Sequence, residues 1–435
     1  MRTGIVTFMM LFLFSTAPAQ EFLRLDEAVS IGLERNHRLR IARNDAEVAR
    51  NNTSRGSAGF LPTLDATGSW SLSRSEQETN SPFSFGNSDT RSASAQLALN
   101  WTLFDGFRMF AENARYESLA ELGATQTRNT VEQTVVGIVA AYMRVVQEAR
   151  LLDALTRVLD ISRTRYEKEY ARRELGGSSS DYFNARIALN SDSTAYLSQQ
   201  LQLRIARQQL NLLLGRPAET DFDVVREIAL PAAPSGFEDV IARARDRNAE
   251  VSVLRQNLLV AETAVTSSRS SFFPRVNFFA NYGYSDRLTG TNDARFNGDI
   301  STQSTDASVG LSLSFNLFNG FRNSTDVENA QIEERSATAA VQEAEYRLEA
   351  LIREQIHTLD TRLQAAILAE NSLEAATSNL DLQVERYDTG TVTSLEFRDA
   401  QLQFVRAETA HIVALFQARI AALELQRLTG DISLR

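Results

Sequence analysis

Three histidines, His37, His357 and His411, are the side chains here best suited to hold a metal or move a proton near neutral pH. They are too scattered along the chain to suggest a metal centre and read as surface or interface residues. Cysteine is absent, which excludes disulfides, thiolate metal sites and a lipidated amino-terminal Cys. No GxxxxGK phosphate loop, GxSxG elbow or HExxH helix occurs, so the common routes to ATP, acyl and metalloprotease chemistry lack their groups. Asn51-Asn52-Thr53-Ser54 holds glycosylation-like triplets and reads as a helix surface. A net charge of -10 with no basic stripe gives phosphate backbones nothing to bind, so no nucleic-acid partner is expected. No catalytic residue, metal ligand or cofactor site is assigned, and the chain is not read as an enzyme.

What the sequence does contain is a duplication. Asn36 and Asn248 stand 212 residues apart, as do Pro62 and Pro274. Leu103-Phe104-Asp105-Gly106-Phe107-Arg108 recurs as Leu317-Phe318-Asn319-Gly320-Phe321-Arg322 at an offset of 214, and Leu214-Gly215 recurs as Thr429-Gly430 at 215. A repeat this long signals pseudo-symmetric architecture. The repeats are placed at 20–216 and 235–435, joined by a linker over 217–234 that carries Pro217, Pro231 and Pro234. Ahead of them, Arg2, the apolar run Ile5 to Phe14 and Ala17-Pro18-Ala19 read as a signal peptide over 1–19, cleaved after Ala19. No apolar stretch reaches the ~20 residues of a transmembrane helix, so a membrane could be crossed only by strands.

Strands are predicted twice in each repeat, over 64–73 and 92–103, then 276–285 and 307–317. In the second of them Ala93, Ala95, Leu97, Leu99, Trp101 and Leu103 alternate with Ser92, Ser94, Gln96, Ala98, Asn100 and Thr102. The polar face is mostly Ser, Thr, Asn, Gln and Gly rather than charged. Aromatics (Trp70, Trp101, Tyr282, Tyr284, Phe315) gather near strand ends, a pattern that favours a membrane barrel over a soluble sandwich. Glu76 to Arg91 and Asp286 to Asp306 read as long solvated loops. Four strands cannot close a barrel, so several copies would have to pool theirs; three would supply twelve.

The rest is predicted helical, because residues 83–216 and 275–435 contain no proline. Val131, Val135, Ile138, Tyr142, Val145, Ala149, Leu152 and Leu159 form a heptad-like seam interrupted by Thr156. A helix of about 65 residues would run roughly 100 Å. Each such helix ends at a glycine, Gly176 or Gly390, followed by Ser or Thr and then an acid, which reads as helix stop, cap and restart. Two antiparallel hairpins follow, with tips near 173–184 and 387–399.

Taken in order and twice over, these marks resemble the TolC family of outer-membrane efflux ducts: the openings at Asn36 and Asn248, Phe60-Leu61-Pro62 and Phe273-Pro274 at the helix-to-strand transitions, the Phe104-Asp105-Gly106 and Phe318-Asn319-Gly320 exits, the glycine tips and the ends at Gly215 and Gly430. The resemblance implies an α+β membrane protein whose long coiled-coil helices form a periplasmic tunnel. It also implies a homotrimer whose strands close a 12-stranded barrel in the outer-membrane lipid of a Gram-negative-type bacterium. It further implies a passive duct that meets a periplasmic adaptor and an inner-membrane pump, for efflux or type I secretion. By position, the family's constriction acids fall on Glu396 and Asp399, and its tip latch on Asp181 and Tyr387; a third, basic latch position is Val392 here. Two other classes share some features: a secreted trimeric coiled-coil stalk or adhesin, and a periplasmic adaptor. The stalk does not need two separated strand pairs, and the adaptor carries one hairpin rather than two.

Overall fold

The computed structural model describes residues 22–76, 87–227, 229–233, 236–291 and 299–431. The signal segment, Pro82 and the middles of the two solvated loops lie outside them. The described chain divides into two units that cut across the repeats. One combines Ala42–Arg128 with Ala249–Tyr346; the other takes the segment up to Ile41, Asn129–Asn248 and Arg347 onward.

The first unit is built on an antiparallel sheet of β2 (Thr63–Ser75), β3 (Ser88–Phe104), β5 (Arg275–Thr291) and β6 (Ile300–Ser314). Their order is β2-β3-β5-β6, which leaves β2 and β6 as edges. The register sorts the side chains cleanly. Leu64, Leu99, Ala280 and Val309 form one row across the sheet, and Ala66, Leu97, Tyr282 and Ala307 the next. The opposite face carries Thr67, Gln96, Gly283 and Asp306 in one row and Asp65, Ala98, Asn281 and Ser308 in another. Because neighbouring side chains alternate across the sheet, the period of two in the sequence becomes one apolar and one polar surface shared by all four strands.

The strands run further than the sequence predicts at the loop ends. β3 begins at Ser88, β5 continues to Thr291 and β6 starts at Ile300, inside stretches read as loop, while β6 stops at Ser314 short of Phe315 and Leu317. From the row of Trp70, Ala93, Asp286 and Gln303 onward the apolar face becomes mixed, the following row holding Leu72 and Leu288 beside Arg91 and Ser301. The ladder hydrogen bonds continue there although the hydrophobic alternation has ended, and only the alternation is visible in sequence.

The second unit is helical. Two 67-residue helices, α3 (Arg108–Glu174) and α7 (Arg322–Asp388), contribute to both units. Each turns back into a shorter partner, α4 (Ser179–Leu213) or α8 (Ser394–Thr429). The predicted seam forms: Val135, Ile138, Tyr142, Val145 and Ala149 are buried with Leu203, Ala206 and Leu210 of α4. The expected linker is not slack. Phe222 and Val224 are buried in the same core, and β4 (Asp223–Val224) pairs in parallel with β1 (Phe22–Leu23).

The repeat anchors explain themselves in this unit. Asn36 separates α1 (Leu25–Arg35) from α2 (His37–Asn51), and Asn248 separates α5 (Phe237–Arg247) from α6 (Ala249–Arg269). The Asn36 amide donates to the Leu213 carbonyl at 2.8 Å and the Asn248 amide to the Leu428 carbonyl at 3.0 Å. Each asparagine thus ties the start of its repeat to the end of the same repeat. Gly215 and Gly430 close these junctions with φ of +65° and +68°, and a Cβ on either would come within 2.6 or 2.7 Å of the Arg35 or Arg247 carbonyl oxygen. Space and backbone conformation both demand glycine there.

Candidate functional site at the hairpin tips and the seam between them

Both tips are built alike. After α3 the Gly177 amide donates to the Arg172 carbonyl (2.8 Å) and the Gly176 amide to Arg173 (3.0 Å); after α7, Thr391 donates to Arg386 (2.9 Å) and Gly390 to Tyr387 (3.1 Å). These nested bonds define the Schellman stop, and its left-handed position is filled by Gly176 (φ +91°) and Gly390 (φ +72°). The restarts differ in quality. The Ser178 hydroxyl accepts from the Asp181 amide at 3.4 Å, whereas Thr393 and Glu396 form a reciprocal capping box. There the Thr393 hydroxyl accepts from the Glu396 amide (3.2 Å), and the Glu396 carboxylate accepts from the Thr393 amide and hydroxyl, both at 2.8 Å.

Those bonds, first that from the Thr393 backbone and then that from its hydroxyl, lower the Glu396 pKa. An exposed carboxylate at this place therefore stays charged. One turn on, exposed Asp399 accepts from the Gln403 side-chain amide at 2.6 Å. Glu396 and Asp399 share the start of α8, three residues apart on one helical flank. Among the described residues no three His, Asp or Glu side chains converge as a metal site.

Tyr387 is not at the surface. It is 5% exposed, stacked on Phe397 at 4.7 Å with ring planes 19° apart, and the Arg172 guanidinium lies 5.6 Å from its ring centre. Its hydroxyl donates to buried Glu169 of α3, so within this chain Tyr387 meets Glu169 and not Asp181. Burial first, and then the bond to Glu169, push the phenol up to about 12. Asp181 lies half-buried at the start of α4, where its backbone amide is capped.

Further along the same seam lies an ion pair that the sequence reading does not single out. Arg398 of α8 grips Asp192 of α4 with two bonds, 2.7 and 2.8 Å, and Asp192 also accepts from the Ser162 hydroxyl at 2.6 Å. The Arg398 and Asp192 side chains are 17% and 11% exposed. Arg165 of α3 bonds the Ser394 hydroxyl, and Lys168 of α3 meets Asp388 at 2.5 Å. A signal for these contacts was present. Asp192 falls three and four residues along the buried stripe of Ala185 and Ala188, and Ser162, Arg165 and Glu169 continue the stripe that Val158 belongs to. Polar residues at core spacing mark a partner on another helix.

A family model described as outer membrane efflux protein matches residues 28–216 and 240–431, both of the duplicated halves. The chain belongs to the outer membrane efflux protein family. Membership places it in the outer membrane, with the helices in the periplasm, and among the described residues no helix is long and apolar enough to cross a membrane. The chain is similar to outer membrane protein OprJ of Pseudomonas aeruginosa, 25% identical over 93% of this chain and 84% of that protein. It is also similar to outer membrane protein TolC of Escherichia coli, 21% identical over 92% of this chain and 80% of that protein. The fold matches the Campylobacter jejuni CmeC outer membrane channel with a TM-score of 0.74 at 15% identity, covering 99% of this chain and 94% of that one. It matches the outer-membrane channel OprN with a TM-score of 0.72 at 18% identity, covering 94% and 90%.

Proposed function

We propose that this family member is the passive exit duct of a tripartite efflux or type I secretion assembly, working as a homotrimer. The observation that carries the reading is the four-stranded sheet with one apolar face and two unpaired edges, β2 and β6. Lipid offers no hydrogen bonds to an open edge, so β6 of one copy must pair with β2 of the next until the ring closes. Three copies give twelve strands, with the Ser, Thr, Asn and Gln face turned inward onto a water-filled lumen. The duct holds no energy source; an inner-membrane pump drives transport and a periplasmic adaptor bridges the two.

In this reading the hairpin tips form the periplasmic mouth. Glu396 and Asp399 ring it with six carboxylates, which attract cations and repel anions. The Tyr387–Glu169 and Arg398–Asp192 contacts hold the two hairpins of each chain together in the closed mouth. Asp181, half-buried beside them, faces the hairpin of the adjoining copy as the outer part of the latch. The relatives named as efflux proteins support the efflux arm, among them the solvent efflux pump outer membrane protein SrpC of Pseudomonas putida, 24% identical over 90% of this chain.

Single-channel recording in a planar bilayer tests the proposal. The wild-type trimer should conduct with a preference for cations, and Glu396→Ala/Asp399→Ala should lower that preference and weaken block by multivalent cations without loss of trimer. A protein that never conducts sinks the duct. A double variant with unchanged selectivity removes the two acids from the mouth and leaves Glu396 as a helix cap.

A further inference from the structure

One residue breaks the pattern of the polar face. Followed through the register of all four strands, that face carries Ser, Thr, Asn, Gln, Gly and Ala, a few charged side chains, and Ile300 at the loop end. Among the described residues it holds a single aromatic ring, that of Phe279 on β5. The row in which it stands reads Thr63, Asn100, Phe279 and Gly310. A phenylalanine on a wet face forgoes much of the burial that normally holds such a ring in place.

Gly310 shows where the ring rests. A Cβ there would come within 2.8 Å of the ring's Cζ and 3.1 Å of its Cε1, so the far edge of Phe279 lies on the backbone of β6. The ring is half-buried by this contact and keeps the rest of its surface open. A glycine inside a strand is itself unfavourable, and covering it with an aromatic ring offsets part of that cost. The sheet does not need either choice. In the adjoining rows the same two strands pair Asn277 with Ser312 and Asn281 with Ser308, and the ladder runs on through them. A role in the lumen accounts for both residues at once: glycine lowers the ring onto the wall, where it presents an apolar surface without obstructing the path.

The neighbours of the ring are amides rather than charges. Asn281 is committed to the wall, its amide donating to the Ser308 hydroxyl at 3.4 Å and its carbonyl accepting from Gln96 at 3.4 Å. The side-chain amides of Asn100, across the strand, and Asn277, two residues along it, have no hydrogen-bond partner among the described residues. Neither the row of Phe279 nor the row of Thr102, Asn277 and Ser312 contains a charged residue. Arg275 stands four residues away along β5, roughly 13 Å, and Asp65, in the row on the other side, lies two strands over.

We propose that Phe279 is the specificity-determining residue of a transit site on the lumenal wall, on which cargo bearing a planar, uncharged aromatic ring stacks while its polar substituents meet the amides of Asn100 and Asn277. The inference rests on the polar face lining the lumen of a conducting duct. Three copies place three such rings at one level, two rows above the end of β6 at Ser314. One stacking contact lengthens residence only several-fold, which suits a passage that must release what it holds.

Saturation-transfer NMR on full-length trimers in lipid nanodiscs tests the site, with chloramphenicol as the uncharged aromatic probe, trehalose as a sugar, and empty nanodiscs as the background. Transfer to the chloramphenicol ring protons should exceed that to trehalose several-fold, fall several-fold in Phe279→Leu, which keeps the apolar bulk, and persist in Phe279→Trp. Phe279→Ser, which copies the adjoining rows, gives the same reading should leucine disturb assembly. Equal transfer to both solutes, stronger transfer to trehalose, or undiminished transfer to chloramphenicol in an assembled leucine or serine variant overturns the site. Single-channel recording of the same preparation separates the two readings. A conducting wild-type trimer without ring-selective transfer overturns the transit site alone, whereas a trimer that never conducts overturns the duct and the site with it.

Discussion

At Tyr387 a single hydroxyl joins the two hairpins of the chain, and its loss has a calculable consequence. Tyr387→Phe keeps the ring stacked on Phe397 but leaves the Glu169 carboxylate buried with one donor fewer. The expected cost is about 1–2 kcal/mol of stability in chemical unfolding, together with a higher open probability in bilayer recordings. Unchanged values for both would deny the bond any role. The phenol is pushed up from 10.0 to about 12 in the folded chain, so folding favours its protonated form. That stabilisation is complete below the ordinary tyrosine pKa and disappears as pH rises through about 12. Unfolding midpoints followed through that alkaline window should fall more steeply for wild type than for Tyr387→Phe. The Arg398–Asp192 pair behaves differently because both partners are nearly enclosed. Arg398→Leu strands a buried carboxylate and should cost ~3 kcal/mol, whereas Asp192→Leu/Arg398→Leu should recover most of it. A double variant no better than the single one would show that the pair is not what Asp192 needs.

Among the elements, the sheet makes the sharpest claim, because adjacent residues on β6 face opposite solvents. Leu311 lies in the apolar row with Phe278, and Ser312 lies beside Asn277 on the polar face. Arginine at 311 must enter hydrocarbon and should cost about 2–4 kcal/mol near the midplane, while arginine at 312 meets lumenal water and costs far less. Heat resistance of the assembled protein on unheated gels reads the difference. Equal loss from Leu311→Arg and Ser312→Arg would mean that the faces are assigned wrongly. Gly310 adds a detail that alternation alone does not supply. A Cβ there would lie 2.8 Å from the ring of Phe279, so glycine on one strand makes room for an aromatic on the next.

For the whole molecule, the two free edges make the lone chain incomplete in a bilayer. Light scattering in mild detergent should give a mass close to three chains, and a monodisperse monomer would end the closed-barrel reading. The 67-residue lengths of α3 and α7 and the near-equal 35 and 36 residues of α4 and α8 show how closely the duplicated halves have kept their dimensions. Such matching is what a pseudo-symmetric ring requires, since halves of unequal length could not alternate around one axis. The tips depart from that symmetry: Thr393 and Glu396 cap α8 reciprocally, whereas Ser178 caps α4 with one long bond. The acids proposed for the mouth lie on the better-capped of the two.

Much of this protein can be read from its sequence because the interactions that declare it are local or periodic. Alternation over β3, the seam from Val135 to Ala149 on α3, and the glycine stops at Gly176 and Gly390 each depend on residues within a turn or a strand of one another. The duplication reveals architecture for a similar reason, since Asn36 and Asn248 must each solve the same junction. What only the tertiary structure decided are the partners across elements. Core spacing announces that Glu169 and Asp192 await partners, but nothing local says that these are Tyr387 and Arg398, or that the expected linker buries Phe222. The strands likewise continue past their hydrophobic stretch, because ladder hydrogen bonds join backbone groups that every residue carries, whereas a hydrophobic pattern persists only while one face of the sheet is out of water.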